Sequence, residues 1–167
     1  MQADIVIRPM LEGDIDAVLR VTSVSLKSVW PREAFERELR HGGTCYLVAE
    51  RSGEILGYIG SWMMFGDLQV TLFAVDPQYR QQKIGLRLFY EMMREGLSRD
   101  CVNATLEVRP TALPAVSLYE KFGFRTVHTR KKYYDDGEDA LLMQAADLNS
   151  GAYRDKLEKI GSVYGIG

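Results

Sequence analysis

A strand, a short loop and an amphipathic helix follow one another without interruption between Leu68 and Gly96, and this unit most constrains the fold. The helix, Lys83–Ser98, carries apolar residues at helical spacing. The N–H groups of its first turn have no partner inside the helix, and together with the helix dipole they favour a phosphate. Arg80 and Lys83 add positive charge, and Gly85 allows the backbone to approach a diphosphate closely. The segment therefore predicts an anion-binding turn, although any strand–helix turn with a glycine shares this spacing.

Hydrophobic periodicity and turn signals divide the rest of the chain into short elements. Their predicted order is one strand, two helices, three strands, a helix, a strand, a helix and two strands, which indicates an α/β, or α+β, fold. The last two strands form a hairpin around Asp135-Asp136-Gly137. The predicted strands are Ile5–Arg8, Thr44–Glu50, Ile55–Met64, Leu68–Val75, Cys101–Val108, Phe124–Tyr134 and Asp139–Ala145, and the predicted helices are Asp14–Ser25, Pro31–Arg40, Lys83–Ser98 and Leu113–Phe122.

Length and composition predict one folded domain with a short tail. The chain has 167 residues, of which 46% are apolar and 26% charged, an ordinary balance for a globular protein. We place the domain at 1–147 and the tail at 148–167, where glycine and serine interrupt a short amphipathic stretch. That stretch, Tyr153–Ile160, either docks as a helix or stays loose.

Charge and cysteine content argue against several classes of partner. The formal net charge of −2 gives no general reason to expect nucleic acid or an anionic membrane. Cys45 and Cys101 lack metal-ligand spacing and are interpreted as reduced core cysteines, so no metal is expected. No apolar stretch approaches the ~18 residues of a membrane span, and MQADIVIRPM lacks the pattern of a signal peptide. We therefore expect a cytoplasmic protein, with a monomer and a homodimer both open.

The loop after the third consecutive strand carries a specific resemblance. The string VDPQYRQQKIGLRLF resembles the coenzyme A loop of the GNAT superfamily of N-acetyltransferases, Q/R-x-x-G-x-G/A. Arg80 and Gly85 match its first and last positions, and Lys83 stands where the middle glycine usually is. A side chain there is tolerable if its backbone is helical, and it either crowds the phosphates or pairs with one. The coenzyme contacts that the resemblance implies are Phe73, Ala74, Val75, Arg80, Gln81, Gln82, Lys83, Ile84, Gly85 and Leu86.

Two later blocks narrow the resemblance. LEVRPTALPAVSLYEKFGF and YYDDGEDALLM are similar to segments of the ribosomal-protein alanine N-acetyltransferases, called RimI, and of archaeal N-terminal acetyltransferases, and SVWPREAF is similar to their tryptophan–proline segment. The likeness covers about Ile5 to Ala145. It implies the GNAT fold, with a central mixed, mostly antiparallel sheet of about seven strands flanked by four helices, and acetyl-CoA as co-substrate. Thr111-Ala112 replaces the family's Ser-Asn, and Gln69 excludes the histidine base that archaeal relatives often have in that strand.

The resemblance also assigns catalytic roles. In GNAT folds the strand that ends at Val75 and the strand of TLEVR splay apart to admit the pantetheine arm, and a bulge in the first strand turns backbone N–H groups toward the thioester oxygen. Glu107 is the candidate general base, because a lone carboxylate in a mostly buried strand costs several kcal/mol unless it has a partner or a chemical role. The alternative is an ion pair with Arg109, which shares its strand face, or with another base.

Tyr119 is the candidate general acid, since the family's tyrosine at this position points at the coenzyme sulfur and a phenol can protonate a thiolate. The alternative is a tyrosine that only packs in the core. Trp30, Asp67, Tyr133 and Tyr134 are the candidate acceptor-binding residues, with the two tyrosines lining an extended peptide or simply facing solvent on the hairpin.

Three functions stay open at this point. The first is an Nα-acetyltransferase that acts on a protein N-terminus, such as that of a ribosomal protein, by direct attack in a ternary complex. The second keeps the chemistry and takes a small amine, a polyamine or a lysine side chain as acceptor. The third is a coenzyme A-binding regulatory module without turnover. This alternative stays open because Lys83 and Ala112, both at coenzyme-contact positions, differ from the residues that the family usually has there.

Overall fold

The structure, a computed structural model, describes residues 4–26 and 30–166. Ser28 and Val29 of the tryptophan–proline segment lie outside the described residues. Within the described ranges the elements are β1 (Val6–Pro9), α1 (Ile15–Ser25), α2 (Arg32–Arg40), β2 (Thr44–Arg51), β3 (Glu54–Met64), β4 (Asp67–Val75), α3 (Ile84–Ser98), β5 (Asn103–Val108), α4 (Leu113–Lys121), β6 (Arg125–Arg130), β7 (Ala140–Ala145) and α5 (Gly151–Tyr164), with short 3-10 turns at Glu12–Asp14 and Pro77–Tyr79.

The strands form one sheet in the order β1-β2-β3-β4-β5-β7-β6. The pairs β1–β2, β2–β3, β5–β7 and β6–β7 are antiparallel, whereas β4 and β5 are parallel. The α/β fold with a mixed, mostly antiparallel sheet of seven strands is therefore confirmed. The described residues hold five α-helices rather than the predicted four, because the tail contributes α5.

Contacts divide the chain into two compact units. The first comprises Met1–Trp62 and Thr71–Glu95, and the second comprises Met63–Val70 and Gly96–Gly167. Both β3 and β4 contribute residues to each unit. The predicted boundary at residue 147 stays a prediction.

The first unit is built on an apolar core between α1, α2 and the strands β2 and β3. Phe35 of α2 is fully buried, and its ring lies 6.4 Å from that of Tyr46 and 6.0 Å from that of Tyr58. The Tyr58 hydroxyl shares a 2.7 Å hydrogen bond with the Thr22 hydroxyl, so its polar atom is satisfied within the core. The long apolar runs of β2 and β3 are explained by burial on both faces.

The second unit alternates along β5 between a buried and a half-buried face. Ala104, Leu106 and Val108 are buried, and Glu107 lies on the other face opposite Leu142 of β7. Ser150 caps the start of helix α5, because the Ser150 hydroxyl accepts a hydrogen bond from the Tyr153 N–H. The tail therefore packs as a helix, with Tyr153, Leu157 and Ile160 on its buried side.

The predicted final hairpin is wrong in its extent. Strand β6 ends at Arg130, so Tyr133 and Tyr134 lie in the 131–139 loop rather than in a strand. The Asp139 carboxylate accepts hydrogen bonds from the Lys132 N–H at 3.0 Å and from the Lys131 ammonium at 3.1 Å. Lys132 adopts φ +51°. A carboxylate therefore takes the backbone group that a continued strand would have paired, and the chain turns away.

Candidate active site

Asp76 fixes the start of the coenzyme loop that the sequence predicts. Its N–H donates to the Leu56 carbonyl at 2.8 Å, and one carboxylate oxygen accepts from the Gln78 N–H at 3.0 Å. The other carboxylate oxygen accepts from the Arg20 guanidinium at 2.8 Å. Hydrogen bonding to Arg20 lowers the pKa of this carboxyl, so it remains ionised in the fold. Backbone and charge together hold the chain where β4 ends.

The sequence predicts that a side chain at position 83 is tolerated if its backbone is helical, but the Lys83 backbone is not helical. Its φ is +62°, in the left-handed region that favours glycine, and Gln81 is also left-handed at +63°. The first intrahelical hydrogen bond runs from the Arg87 N–H to the Lys83 carbonyl at 3.0 Å, so α3 begins at Ile84. The N–H groups of Ile84, Gly85 and Leu86 precede that bond and have no acceptor within the helix. These three groups fit an anion such as a diphosphate.

Gly85 is explained by packing of the helix on β4. A Cβ at this position would lie 3.3 Å from the Phe73 ring and 3.7 Å from a Val75 methyl group. The side chains of Ile84 and Leu86 are buried. Of the predicted coenzyme contacts, these residues therefore offer their backbone, whereas Arg80, Gln81, Gln82 and Lys83 offer exposed side chains.

The turn between β2 and β3 braces this loop, a feature that the sequence analysis missed. The Tyr79 hydroxyl donates to Glu54 at 2.7 Å, and the Arg51 guanidinium donates to the Gln82 side-chain oxygen at 3.1 Å. Arg51 also lies 5.5 Å from the centre of the Tyr79 ring. The loop is thereby held by side chains 31 and 25 positions earlier in the chain, and local sequence pattern carries no signal for such contacts.

The end of β4 approaches β3 closely at Gly57. A Cβ on Gly57 would lie 2.8 Å from the Ala74 carbonyl oxygen, so only glycine fits there. The Val75 carbonyl accepts a hydrogen bond from the Ser25 hydroxyl at 3.2 Å. The register of β2 and β3 shifts between Ala49 and Glu50, which places a bulge in β3. The predicted bulge in β4, and the thioester contacts of Phe73, Ala74 and Val75, stay predictions.

In the second unit, Glu107 lies beside two groups of the neighbouring β6–β7 segment. The Arg130 Nε lies 3.5 Å from its Oε1, and the Arg130 guanidinium carbon lies 5.7 Å from the centre of the Tyr133 ring. The Glu107 side chain is 21% exposed, so it is shielded but reachable. The ion pair predicted as the alternative role is present, with Arg130 in the place of Arg109. Sequence spacing could not identify Arg130 as the partner of Glu107. The two residues come close only because β5 and β6 lie on either side of β7 in the sheet.

Tyr134 lies against Tyr133, with ring centres 5.1 Å apart and planes at 84°. Arg109 covers the Tyr134 ring, with its guanidinium carbon 3.9 Å from the ring centre. The structure thus brings together Glu107 and both predicted tyrosines. Burial raises the pKa of Tyr134, and the neighbouring Glu107 carboxylate raises that of Tyr133, so both phenols stay protonated at neutral pH.

Tyr119 is buried on α4, and its ring lies 6.3 Å from that of Phe124. Burial raises the pKa of its phenol well above the ordinary value, and the nearby Tyr134 adds to the rise. The phenol therefore stays protonated at neutral pH, and its role as general acid stays a prediction. Its main-chain carbonyl accepts from the N–H groups of Phe122 and Phe124, which closes the helix.

Comparison with known proteins decides the family. The sequence profile of the acetyltransferase (GNAT) family matches residues 15–124. The chain is 39% identical over 145 residues to a Bacillus subtilis protein named "Putative ribosomal protein bS18-alanine N-acetyltransferase", covering 86% of this chain and 96% of that one. The chain belongs to the GNAT acetyltransferase family.

Further relatives agree with this assignment. The acetyltransferase is 34% identical over 148 residues to an N-alpha-acetyltransferase of Sulfolobus acidocaldarius, covering 80% of this chain and 87% of the relative. Its fold matches the crystal structure of the ribosomal-protein-S18-alanine N-acetyltransferase from Escherichia coli with a TM-score of 0.80 at 24% identity, over 86% of this chain and 94% of that one.

Two of the predicted acceptor residues of this acetyltransferase, Asp67 and Trp30, do not lie beside Glu107, Tyr133 and Tyr134. Asp67 is exposed and pairs with Asn103, whose side-chain amide donates to it at 3.4 Å. Asn103 precedes Glu107 by four residues, which separates the two by about 13 Å along β5. Trp30 belongs to the first unit, where its ring lies 5.6 Å from that of Phe35 and packs against the core. Their acceptor roles stay predictions.

The described residues offer neither a metal cluster nor a membrane helix. No group of three or more His, Cys, Asp and Glu side chains in the ranges 4–26 and 30–166 could hold a metal ion. Nor does any helix described for this acetyltransferase have the length and apolarity needed to cross a membrane.

Proposed function

We propose that this acetyltransferase transfers the acetyl group of acetyl-CoA to the N-terminal α-amine of a protein. The observation that carries the proposal is the Glu107 carboxylate, which is shielded yet reachable and pairs with Arg130 beside the Tyr133 ring of the tyrosine pair. Aromatic rings beside a carboxylate suit an extended chain end whose amine must lose a proton. The names of the relatives from B. subtilis, S. acidocaldarius and E. coli support the same substrate class.

The reaction follows from the roles of three groups. The neutral amine attacks the thioester carbonyl carbon, so a C–N bond forms while the C–S bond breaks. Glu107 accepts the proton that the amine nitrogen loses, directly or through one water. Tyr119 donates its phenolic proton to the leaving thiolate. The first-turn N–H groups of α3, with Arg80 and Lys83, bind the phosphates of acetyl-CoA.

The test follows thiol release when acetyl-CoA is mixed with peptides that begin with alanine, methionine or serine. The alanine-initiated peptide takes the N-terminal sequence of ribosomal protein S18, because relatives carry that name. The matched controls are the same peptides with a blocked α-amine and an intact internal lysine. We expect turnover with free α-amines and none with the blocked peptides.

Other outcomes select the remaining functions. Turnover only with blocked, lysine-containing peptides, or with polyamines and other small amines, would contradict the α-amine acceptor. Tight binding of coenzyme A by calorimetry without turnover on any acceptor would instead favour a regulatory module.

A further inference from the structure

The Arg109 guanidinium joins the end of β5 to the 131–139 loop, which we call the acceptor loop. Its NH1 donates to the two oxygens of Asp136 at 3.0 and 2.8 Å and to Glu138 Oε2 at 2.8 Å. The Thr111 hydroxyl donates to the other oxygen of Glu138, so both ends of that carboxylate are held. The Glu138 N–H in turn donates to Asp136 at 3.0 Å. The side chains of Arg109 and Glu138 are only 24% exposed.

The same guanidinium also lies flat against the acceptor loop's aromatic side chain. Its carbon is 3.9 Å from the centre of the Tyr134 ring, within the range of a strong cation–π contact. The Tyr134 backbone is tied into the loop as well, because its N–H donates to the Glu138 carbonyl at 3.1 Å and its carbonyl accepts from Gly137 at 2.9 Å. The flat guanidinium face that stacks on Tyr134 is particular to arginine, and the compact ammonium of lysine does not offer it.

This arrangement links Arg109 to the candidate base. Tyr134 packs edge-on against Tyr133, whose ring lies 5.7 Å from the Arg130 guanidinium that pairs with Glu107. Glu107 lies two residues before Arg109, at the end of β5. All of these residues belong to the second compact unit. Two guanidinium groups therefore hold the tyrosine pair beside the carboxylate, that of Arg130 at Tyr133 and that of Arg109 at Tyr134.

We infer that Arg109 is a positioning residue that sets the affinity for the acceptor by holding Tyr133 and Tyr134 beside Glu107. It does not itself touch the reacting atoms. The inference rests on the proposed function, because it assigns the tyrosine pair to acceptor binding. It predicts that weakening the Arg109 contacts raises the KM of the peptide and leaves the KM of acetyl-CoA unchanged.

The kinetic experiment compares wild type with Arg109→Lys, which keeps the positive charge and loses the planar guanidinium that stacks on Tyr134. We expect a rise of roughly tenfold in peptide KM, the effect of losing one strong polar or stacking contact. The control is Arg154→Lys on the exposed side of α5, the same substitution outside the acceptor loop, which should leave both KM values unchanged. Thr111→Val, which removes only the hydrogen bond to Glu138, should raise the peptide KM less.

A second readout does not depend on the acceptor. Trypsin cleaves after Lys132, a bond of the acceptor loop that all of these variants retain. We expect Arg109→Lys to speed this cleavage roughly tenfold under native conditions, because the loop opens locally, while the thermal midpoint falls by only a few degrees. If wild type acetylates no peptide, the proposed function fails, and the cleavage rate alone still tests the hold on the loop.

Three results would overturn the inference. One is unchanged peptide KM in Arg109→Lys, and another is an equal rise in the KM values of peptide and acetyl-CoA. The third is unchanged cleavage after Lys132, which would mean that the guanidinium does not hold the loop. If Arg109→Lys does not fold, Thr111→Val gives the same three measurements with a smaller expected change.

Discussion

At the scale of single residues, the coenzyme loop has a lysine at a position where the family usually has glycine. Lys83 stands where related loops usually have glycine, and its backbone adopts the glycine-like φ of +62°. A residue with a side chain pays about 1–2 kcal/mol for this conformation. The sequence identified the position and its charge. The backbone conformation was mispredicted, because the helical periodicity that starts α3 extends to Lys83 without revealing where the first hydrogen bond forms.

Lys83→Gly and Lys83→Ala separate conformation from charge. Both remove the ammonium, but only glycine relieves the left-handed backbone, and its greater freedom in the unfolded chain offsets part of that gain. We expect the free energy of unfolding of Lys83→Gly to exceed that of Lys83→Ala by about 1 kcal/mol, measured by urea denaturation. The KM of acetyl-CoA should rise equally in both, and less at high salt. Equal stabilities would contradict the left-handed conformation.

The Asp76 carboxylate should make the free energy of unfolding depend on pH in the acidic range. Its pKa is lowered in the fold from the ordinary value of 3.8, chiefly by the hydrogen bond from Arg20. A lowered pKa contributes stability that is complete above about pH 5 and is lost as the pH falls through the folded-state pKa, below 3.8. We expect Asp76→Asn to lower the free energy of unfolding at pH 7 by about 1–3 kcal/mol.

The measurement is the urea midpoint of wild type and Asp76→Asn between pH 7 and pH 3. The difference between the two proteins should shrink as the pH falls below 4. Asp155→Asn, on the exposed side of α5, is the control and should follow wild type. A difference that stays constant down to pH 3 would contradict the account.

At the scale of elements, the order of strands and helices was predictable because each apolar period is local. The final hairpin was not, since the aromatic residues Tyr133 and Tyr134 favour a strand by propensity. Contacts from Asp139 and from Arg109 pull this segment into a loop instead. Arg109 and Glu138 are 29 positions apart, so no local sequence pattern could predict their contact. Tertiary interactions overrode propensity there.

Helix α5 supports the end of the helix that carries Tyr119. The Tyr153 hydroxyl donates to the Phe122 carbonyl at 2.7 Å in a buried setting. We expect Tyr153→Phe to lower the free energy of unfolding by about 1–3 kcal/mol, because the carbonyl loses its buried donor. Val163→Ala on the same helix is exposed and should change it by less than about 0.5 kcal/mol. Urea denaturation measures both, and equal effects would argue against a docked α5.

At the scale of the whole molecule, the resemblance predicted the sheet that the structure has, and relatives place the chain in the GNAT acetyltransferase family. The division of contacts into two compact units was not predicted, because the sequence shows no linker and both β3 and β4 belong to each unit. The candidate base and both tyrosines were predicted from motifs. Their partners Arg130 and Arg109 could be assigned only from the fold, which brings distant segments to one end of β5.

The central claim is that Glu107 deprotonates an N-terminal amine, and the pH dependence of kcat/KM tests it most directly. The measurement compares wild type, Glu107→Gln and the exposed control Glu120→Gln on one alanine-initiated peptide from pH 6 to pH 10. We predict that Glu107→Gln lowers the rate about 10²–10⁴-fold at neutral pH. The deficit should narrow above pH about 8, where the α-amine loses its proton unaided. A deficit that is constant across this range, or no deficit at pH 7, would contradict the account.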